Sequence, residues 1–390
     1  MIFQAIDDKR ECVGVYCDGK LHFENFPSTL TRTWRYSASM PDPSIEYAWL
    51  WCGGCSLEQA CPDELKAELV AAQRKFRAFV KSFELAKVSM NDHCIFDLVP
   101  HDFLLQFCEI RNKVTQHIFD TYEKPQNYDH LNDIQKLIHK IKHQKLNLNL
   151  DGCKNLMYST RNRRHLGELM KGFTHVQYNL FGTVTGRLTT DKKSFPILTV
   201  ARKNRTLVKP HNDFLLSLDY NGAEIRTFLD LANQQQPEGD IHQWNIENIF
   251  DEGLTRDEAK TIFFAWLYNP ESKEIKSEMY NREKILDKYY KEGYIITPYK
   301  RRIKVDERRA LNYLIQSTNA DRVLSKAVIL DKMLEGRRSF VSHMVHDEIV
   351  IDYSDEDREL VAEIKNTFED GYMANVKAGK DYYNLKELSI

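Results

Sequence analysis

At 390 residues, 42% of them hydrophobic, the chain is large enough for a substantial core and for roughly two to four domains or subdomains. No apolar run approaches the length of a membrane span, and Met1 to Arg10 has no apolar core of a secretion signal, so a cytoplasmic protein is expected. The net charge of −2 hides an uneven distribution: from Lys136 to Lys209 sixteen Lys and Arg stand against three Asp and Glu, a net +13 that leaves the remainder at −15, and such a stripe can neutralise phosphates.

The first residues read as short strands, Ile2 to Ile6, Cys12 to Cys17 and Leu21 to Phe26, joined by polar turns. The eight cysteines (Cys12, Cys17, Cys52, Cys55, Cys61, Cys94, Cys108 and Cys153) follow no framework of a small secreted domain and are expected to be reduced. Cys52, Cys55 and Cys61, with His93 or Cys94, leave three readings open: a zinc site, a redox pair or ordinary packing. The lack of a second compactly spaced pair favours packing. From Pro62 to Lys87 the apolar series Leu65, Leu69, Ala72, Phe76, Phe79, Val80, Phe83 predicts an amphipathic helix.

Residues 100 to 170 read as helical, with Phe103, Leu104, Phe107, Ile110, Val114 and Ile118 on one helix and Leu131, Ile134, Leu137, Ile138 and Ile141 on another. Their basic residues suit the backbone of a nucleic acid, which gives grip without sequence choice. A short turn follows at Thr185, Gly186 and Arg187.

Phe214 to Leu218 is a short apolar run that predicts a buried strand ending on Asp219; Gly222 opens the turn, and Ile225, Phe228, Leu229 and Ala232 resume at helical spacing. Its partner lies at Ser342 to Tyr353, a predicted hairpin with His346, Asp347 and Glu348 at its acidic tip. Two strand-borne aspartates can share a pair of divalent cations that clamp the attacking and leaving oxygens of a phosphoryl transfer.

Between them, Thr255 and Glu258 make a capping box, and Arg256, Lys260, Phe264 and Tyr268 recur along one face of the helix it starts. That face is cationic near the positive end of the helix dipole and aromatic further on. A nucleoside triphosphate has matching ends, phosphates and a flat base. After the cluster Lys300, Arg301, Arg302, a helix from Asp306 to Gln316 carries Arg308, Asn312 and Gln316 on one polar face, suited to nucleotide edges or sugars. Glu356 to Phe368 predicts a further helix ending near Gly371.

The ordered set of Gly-Arg turn, Asp219-Tyr220 strand, Arg/Lys/Phe/Tyr helix, Arg/Asn/Gln helix and His346-Asp347-Glu348 hairpin resembles the polymerase core of family A DNA polymerases, the DNA polymerase I family, in a compact phage-like form. The likeness spans about residues 175 to 353 and implies an α+β right-hand fold, with an antiparallel palm sheet, helical thumb and fingers, and a small N-terminal α/β domain. The implied partition is an accessory domain at 1–98, thumb at 99–174, palm at 175–232 and 307–390, and reduced fingers at 233–306.

The resemblance implies that Asp219 and Asp347 hold two Mg2+ ions, with the Tyr220 carbonyl as a further ligand, and that Lys260 meets the phosphates and protonates the departing pyrophosphate. It assigns Arg256 and His242 to the outer phosphates, Glu224 to exclusion of a ribose 2′-hydroxyl, Phe264 to the base and sugar, and Tyr268 to the template base. Arg187, Arg308, Asn312, Gln316 and His346 would follow the primer and its partner strand, and Glu307, Thr318 and Asp321 belong to the matching helix segment.

The implied partners are primer-template DNA and dNTPs, with helicase or primase as possible replisome proteins, acting on a monomer in the host cytoplasm if the source is viral. Departures are Asn221-Gly222 where many members carry Ser-Gln, Asn269 and Ser317 in place of glycines, and a short connection from Tyr268 to Glu307. The first 100 residues show no Asp-x-Glu strand of the proofreading exonuclease, since Asp7 and Asp8 lack that spacing, and no proofreading is expected. The rival readings are a single-subunit RNA polymerase, against which Glu224 speaks, and a catalytically silent nucleic-acid-binding replisome component, against which the two intact carboxylates speak.

Overall fold

The computed structural model describes residues 1–6, 14–88, 93–152, 172–250, 253–269 and 277–388, with isolated positions between these stretches. Asp7, Asp8, Cys12, Cys153, Lys154, Arg161, Arg164 and Lys171, which bear on the exonuclease, cysteine and basic-stripe expectations, lie outside the described residues. The chain divides into two compact units, Met1–Lys136 and Leu137–Ile390.

In the first unit, Phe3–Ala5, Val15–Cys17 and Lys20–His22 form a three-stranded antiparallel sheet. The amphipathic helix is observed as Asp63–Leu85; only Leu69 is fully buried, and Phe76, Phe79 and Phe83 pack half-covered against Phe103 and Phe107 of the helix His101–Thr121. Phe76 stacks on Phe107 at 4.7 Å between ring centroids, a contact that holds a mostly solvated helix by one aromatic seam. Cys52, Cys55 and Cys61 are free thiols, and among the described residues no three His, Cys, Asp or Glu side chains are grouped to hold a metal. Cys94 is in a disulfide, which corrects the expectation of eight reduced cysteines. Among the described residues, no helix is long and apolar enough to cross a membrane.

The second unit is built on a five-stranded antiparallel sheet in the order Phe340–Val345, Glu348–Tyr353, Phe214–Tyr220, Ala374–Gly379, Lys386–Glu387. The central strand has neighbours on both edges, with Leu218 opposite Ile349 on one side and Val376 on the other, and Leu215, Leu216, Ser217 and Leu218 are all buried. Enclosure of this kind explains a nearly continuous apolar run in place of strict alternation.

Helices Ala223–Leu231, Ile241–Asn248, Arg256–Tyr268 and Glu307–Met333 pack around one cluster that includes Ile225, Phe228, Ile241, Phe263, Trp266 and Leu314. Between the last two helices lie a short helix, Arg282–Tyr289, and a three-stranded sheet of Tyr290–Lys291, Tyr294–Ile296 and Arg302–Lys304. The helix Glu307–Met333 runs well past the predicted Gln316, because from Ser317 to Asp321 every residue is buried and no amphipathic period remains to be read.

That helix is fastened by a buried ion pair. Arg301 Nε donates to Asp321 Oδ2 at 2.9 Å and Nη2 to Oδ1 at 2.6 Å, with Asp321 fully enclosed. The guanidinium also sits under Gly186, where φ is +82° and an added Cβ would come within 2.6 Å of it, so only glycine fits this turn.

Candidate active site

Asp219 occupies the end of the central strand and lies directly opposite Glu348 in the ladder. Val345 also pairs with Glu348, so His346 and Asp347 form the tight turn of the hairpin, with His346 held at φ +56°. Left-handed backbone at a non-glycine residue is a strained choice of the kind found at functional turns. Asn319, from the long helix, donates from Nδ2 to Asp347 Oδ1 at 2.9 Å and fixes its direction.

Burial pushes the Asp219 carboxyl up to about 7; the nearby Glu348 and Asp347 charges add to the shift, while Lys377 and Lys260 oppose it. Burial raises Asp347 as well, against Arg187, His346 and the Asn319 hydrogen bond. Two crowded, desolvated carboxylates are what a divalent cation relieves, and their hard oxygens suit Mg2+. Glu348 is otherwise engaged, accepting from Ser217 Oγ and from the Tyr382 hydroxyl, each at 2.5 Å. The pair does not form a complete cage, which fits an ion whose remaining ligands come from substrate phosphates and water.

The Thr255 to Glu258 capping box forms as expected. On the helix behind it, Arg256, Lys260 and Tyr268 are exposed and Phe264 is half-buried, while Ala259, Phe263, Trp266 and Leu267 face the core. Lys260 acts electrostatically on both Asp219 and Glu224, so the cationic side of the helix is turned toward the carboxylates.

Arg256 is held by Asp240 through Nη2 at 2.7 Å and Nε at 3.2 Å. Asp240 also caps the next helix by accepting from the His242 and Gln243 amides, and it accepts from Asn221 Nδ2 at 2.8 Å. Against a desolvation that would raise it, these hydrogen bonds hold the Asp240 carboxyl well below the usual range. Asn221 thus ties the strand turn to the His242 helix, a physical account of one departure from the family pattern. His242 is buried, burial depresses its imidazole to about 4, and Nδ1 finds no partner within the protein. Arg226 braces the same turn from below, donating to the Asn221, Pro237 and Gly239 carbonyls at 2.7, 3.1 and 2.7 Å.

Glu224 links two elements: Arg187 Nη2 donates to Oε1 at 2.7 Å, and the Tyr268 hydroxyl donates to Oε2. Burial raises its carboxyl, with the Arg187 charge and hydrogen bond opposing. Along the long helix Arg308 is exposed and Asn312 and Gln316 are half-buried, and Asn312 Oδ1 is left without a partner. Tyr220 stacks on Phe368 at 4.1 Å and donates to its carbonyl at 2.6 Å, which closes the sheet beneath the site.

The structure therefore brings together Asp219, Asp347, Lys260, Glu224, Arg187 and Tyr268; it keeps His242 buried and commits Arg256 to Asp240. Sequence reasoning missed Asn319, Ser217, Tyr382 and the bridging part of Asp240. Only Asn319 carried a signal: it continues the helical stripe of Arg308, Asn312 and Gln316 by one turn.

Because Asp219 has a raised pKa, the ionised form costs stability in the metal-free fold. That cost is absent below about pH 4, accumulates as pH rises from about 4 to about 7 and is fully present above 7. Asp219→Asn removes the charge, so without metal the variant should be more stable than wild type at pH 8, and urea unfolding at pH 8, 6 and 4 should show the gap closing as pH falls.

No protein-family model matches the sequence. A DNA polymerase I, thermostable, of Thermus aquaticus is 26% identical over 275 aligned residues, covering 55% of this chain and 33% of that protein. The DNA polymerase of Mycobacterium phage D29 is 28% identical over 174 residues, covering 35% of this chain and 28% of that one. The chain thus spans about a third of the length of these curated relatives. Among solved structures, the POL domain of Pol1 from M. smegmatis, in complex with DNA primer-template and dNTP, matches with a TM-score of 0.56 at 14% identity, over 72% of this chain and 76% of that one, a likeness of fold.

Proposed function

We propose that this chain, which belongs to the DNA polymerase I family (family A), is a DNA-directed DNA polymerase that adds dNTPs to a primer 3′-hydroxyl in replication or repair of phage or mobile-element DNA. The observation that carries this reading is the meeting of Asp219 and Asp347 at one sheet end, under the field of Lys260 on an exposed cationic and aromatic helix face.

Asp219 and Asp347, with the main-chain carbonyl of Tyr220, are the groups that would hold two Mg2+ ions. When bound, these supply charge neutralisation and a more acidic primer hydroxyl. The rest falls to the chain. Lys260 meets the phosphates and delivers a proton to the leaving pyrophosphate. Arg256 exchanges Asp240 for an outer phosphate, and His242, with its unpartnered nitrogen, lies two residues beyond Asp240 at the start of the helix that Asp240 caps. Phe264 and Tyr268, stacked with centroids 5.8 Å apart, offer a flat surface to the base and to the template. Arg187, Arg308, Asn312, Gln316 and His346 follow the primer and its complement.

In this reading residues 175–232 and 307–390 are palm, 233–306 fingers, 99–174 thumb and 1–98 an accessory domain, and the protein works as a monomer with primer-template DNA, alongside a helicase or primase. The likeness to the phage D29 polymerase supports a phage or mobile-element setting. Template-directed primer extension by the purified chain with Mg2+ tests the proposal; incorporation of dNTPs in template order is expected, and no extension, or a preference for rNTPs, overturns it.

Glu224 is the group assigned to sugar selection. Glu224→Ala should relax rNTP exclusion by about ten- to a hundredfold. Since Glu224 also anchors Arg187 and Tyr268, KM for dNTPs should rise in the same variant. Single-nucleotide incorporation kinetics with each sugar would check both, and unchanged exclusion would remove Glu224 from that role.

A further inference from the structure

Glu348 is the puzzle of this sheet end. It follows Asp347 in the chain and lies directly opposite Asp219 across the ladder, so a third carboxylate shares the place where two are needed. Opposite like charges on paired strands repel, and a free Glu348 would compete for any cation held nearby. The side chain is not free. One oxygen accepts from Ser217 Oγ and the other from the Tyr382 hydroxyl, each at 2.5 Å.

Tyr382 is itself fixed from several directions. It is buried, its amide donates to the Val208 carbonyl at 3.0 Å, the Arg205 guanidinium lies 4.6 Å over its ring, and His343 meets it edge-on at 5.0 Å. The adjoining Asp381 accepts from the Tyr383 and Asn384 amides and from Lys209 Nζ, which pins the turn between the last two strands.

We propose that Tyr382 is a positioning residue for the polymerase reaction: with Ser217 it holds Glu348 back, so that Asp219 and Asp347 alone among the three acids receive the ions. This rests on the reading given under Proposed function. The phenol acts only through Glu348; it touches neither substrate nor ion.

The test uses the full chain with primer-template and a non-hydrolysable dNTP, following Mn2+ binding by electron paramagnetic resonance beside single-turnover extension. Tyr382→Phe should weaken Mn2+ binding and lower kcat by about tenfold, as loss of a hydrogen bond to a neighbouring group typically does, while KM for dNTP changes little. In a Glu348→Gln background, where the side chain no longer competes, Tyr382→Phe should have no further effect on Mn2+ binding. Ser217→Ala removes the other donor and is read in the same way, should Tyr382→Phe fold poorly. Unchanged Mn2+ binding in both donor variants overturns the proposal, as does an equal loss in the Gln background. Loss of the Mn2+ sites in Glu348→Gln alone would make Glu348 a ligand and overturn it too. Failure of the polymerase reading would appear separately, as a wild-type chain that does not extend a primer.

Discussion

Asp347→Ala is expected to lower single-turnover primer extension by about a thousandfold or more, equivalent to roughly 4 kcal/mol or more of transition-state stabilisation. Asp347 is one of three carboxylates at the sheet end; Asn319 fixes its direction by a 2.9 Å hydrogen bond, and the adjoining Glu348 is tied to Ser217 and Tyr382, so no neighbouring side chain is placed to take over its position. Its loss removes one of the charges that raise Asp219 and leaves that carboxyl without the partner that shares the ions. Duplex binding should survive, because Arg187, Arg308, Asn312 and Gln316 are untouched and a negative charge near the phosphates has gone. Fluorescence anisotropy on labelled duplex, beside quench-flow extension, separates the two effects. Extension within tenfold of wild type would reject the assignment.

Asp321→Ala should cost about 3–5 kcal/mol of stability, because it leaves the buried Arg301 guanidinium with its charge and without its bidentate partner. Asp321→Asn keeps an acceptor for one of the two bonds and should cost less. Since the guanidinium packs beneath Gly186, the alanine variant should also loosen the turn that delivers Arg187 to Glu224. Urea unfolding would report the first effect and a raised KM for dNTP the second. A stability change under about 1 kcal/mol would show that the pair is replaceable by water or by repacking.

Much of the site can be read from the chain because it rests on local patterns. A short apolar run ending on Asp219 is a strand with an acid at its mouth, Thr255 and Glu258 mark a helix start, and Arg256, Lys260, Phe264 and Tyr268 share a face by their spacing. The hairpin at His346 to Glu348 is legible for the same reason.

The rest depends on contacts that no local period records. The strand Ala374–Gly379 lies beside the central strand, but its alanines, lysine and glycine leave no clear apolar alternation. Asp240 is seen as a helix cap only in the structure, and the fold also brings Arg256 and Asn221 onto it. Tyr382 and Ser217 reach Glu348 from strands and turns distant in sequence. Asp321 sits in a helix segment whose resemblance suggests a groove lining, yet burial beside Arg301 makes it part of the frame.

The central claim is that Asp219 and Asp347 act as one cation-binding pair facing the Lys260 helix. Anomalous diffraction from Mn2+ in crystals of the chain with primer-template and a non-hydrolysable dNTP examines this most directly. Bound metal contacting both aspartates and the triphosphate is the result this account requires. Metal held elsewhere, or by Glu348 with Asp347 turned away, would contradict it.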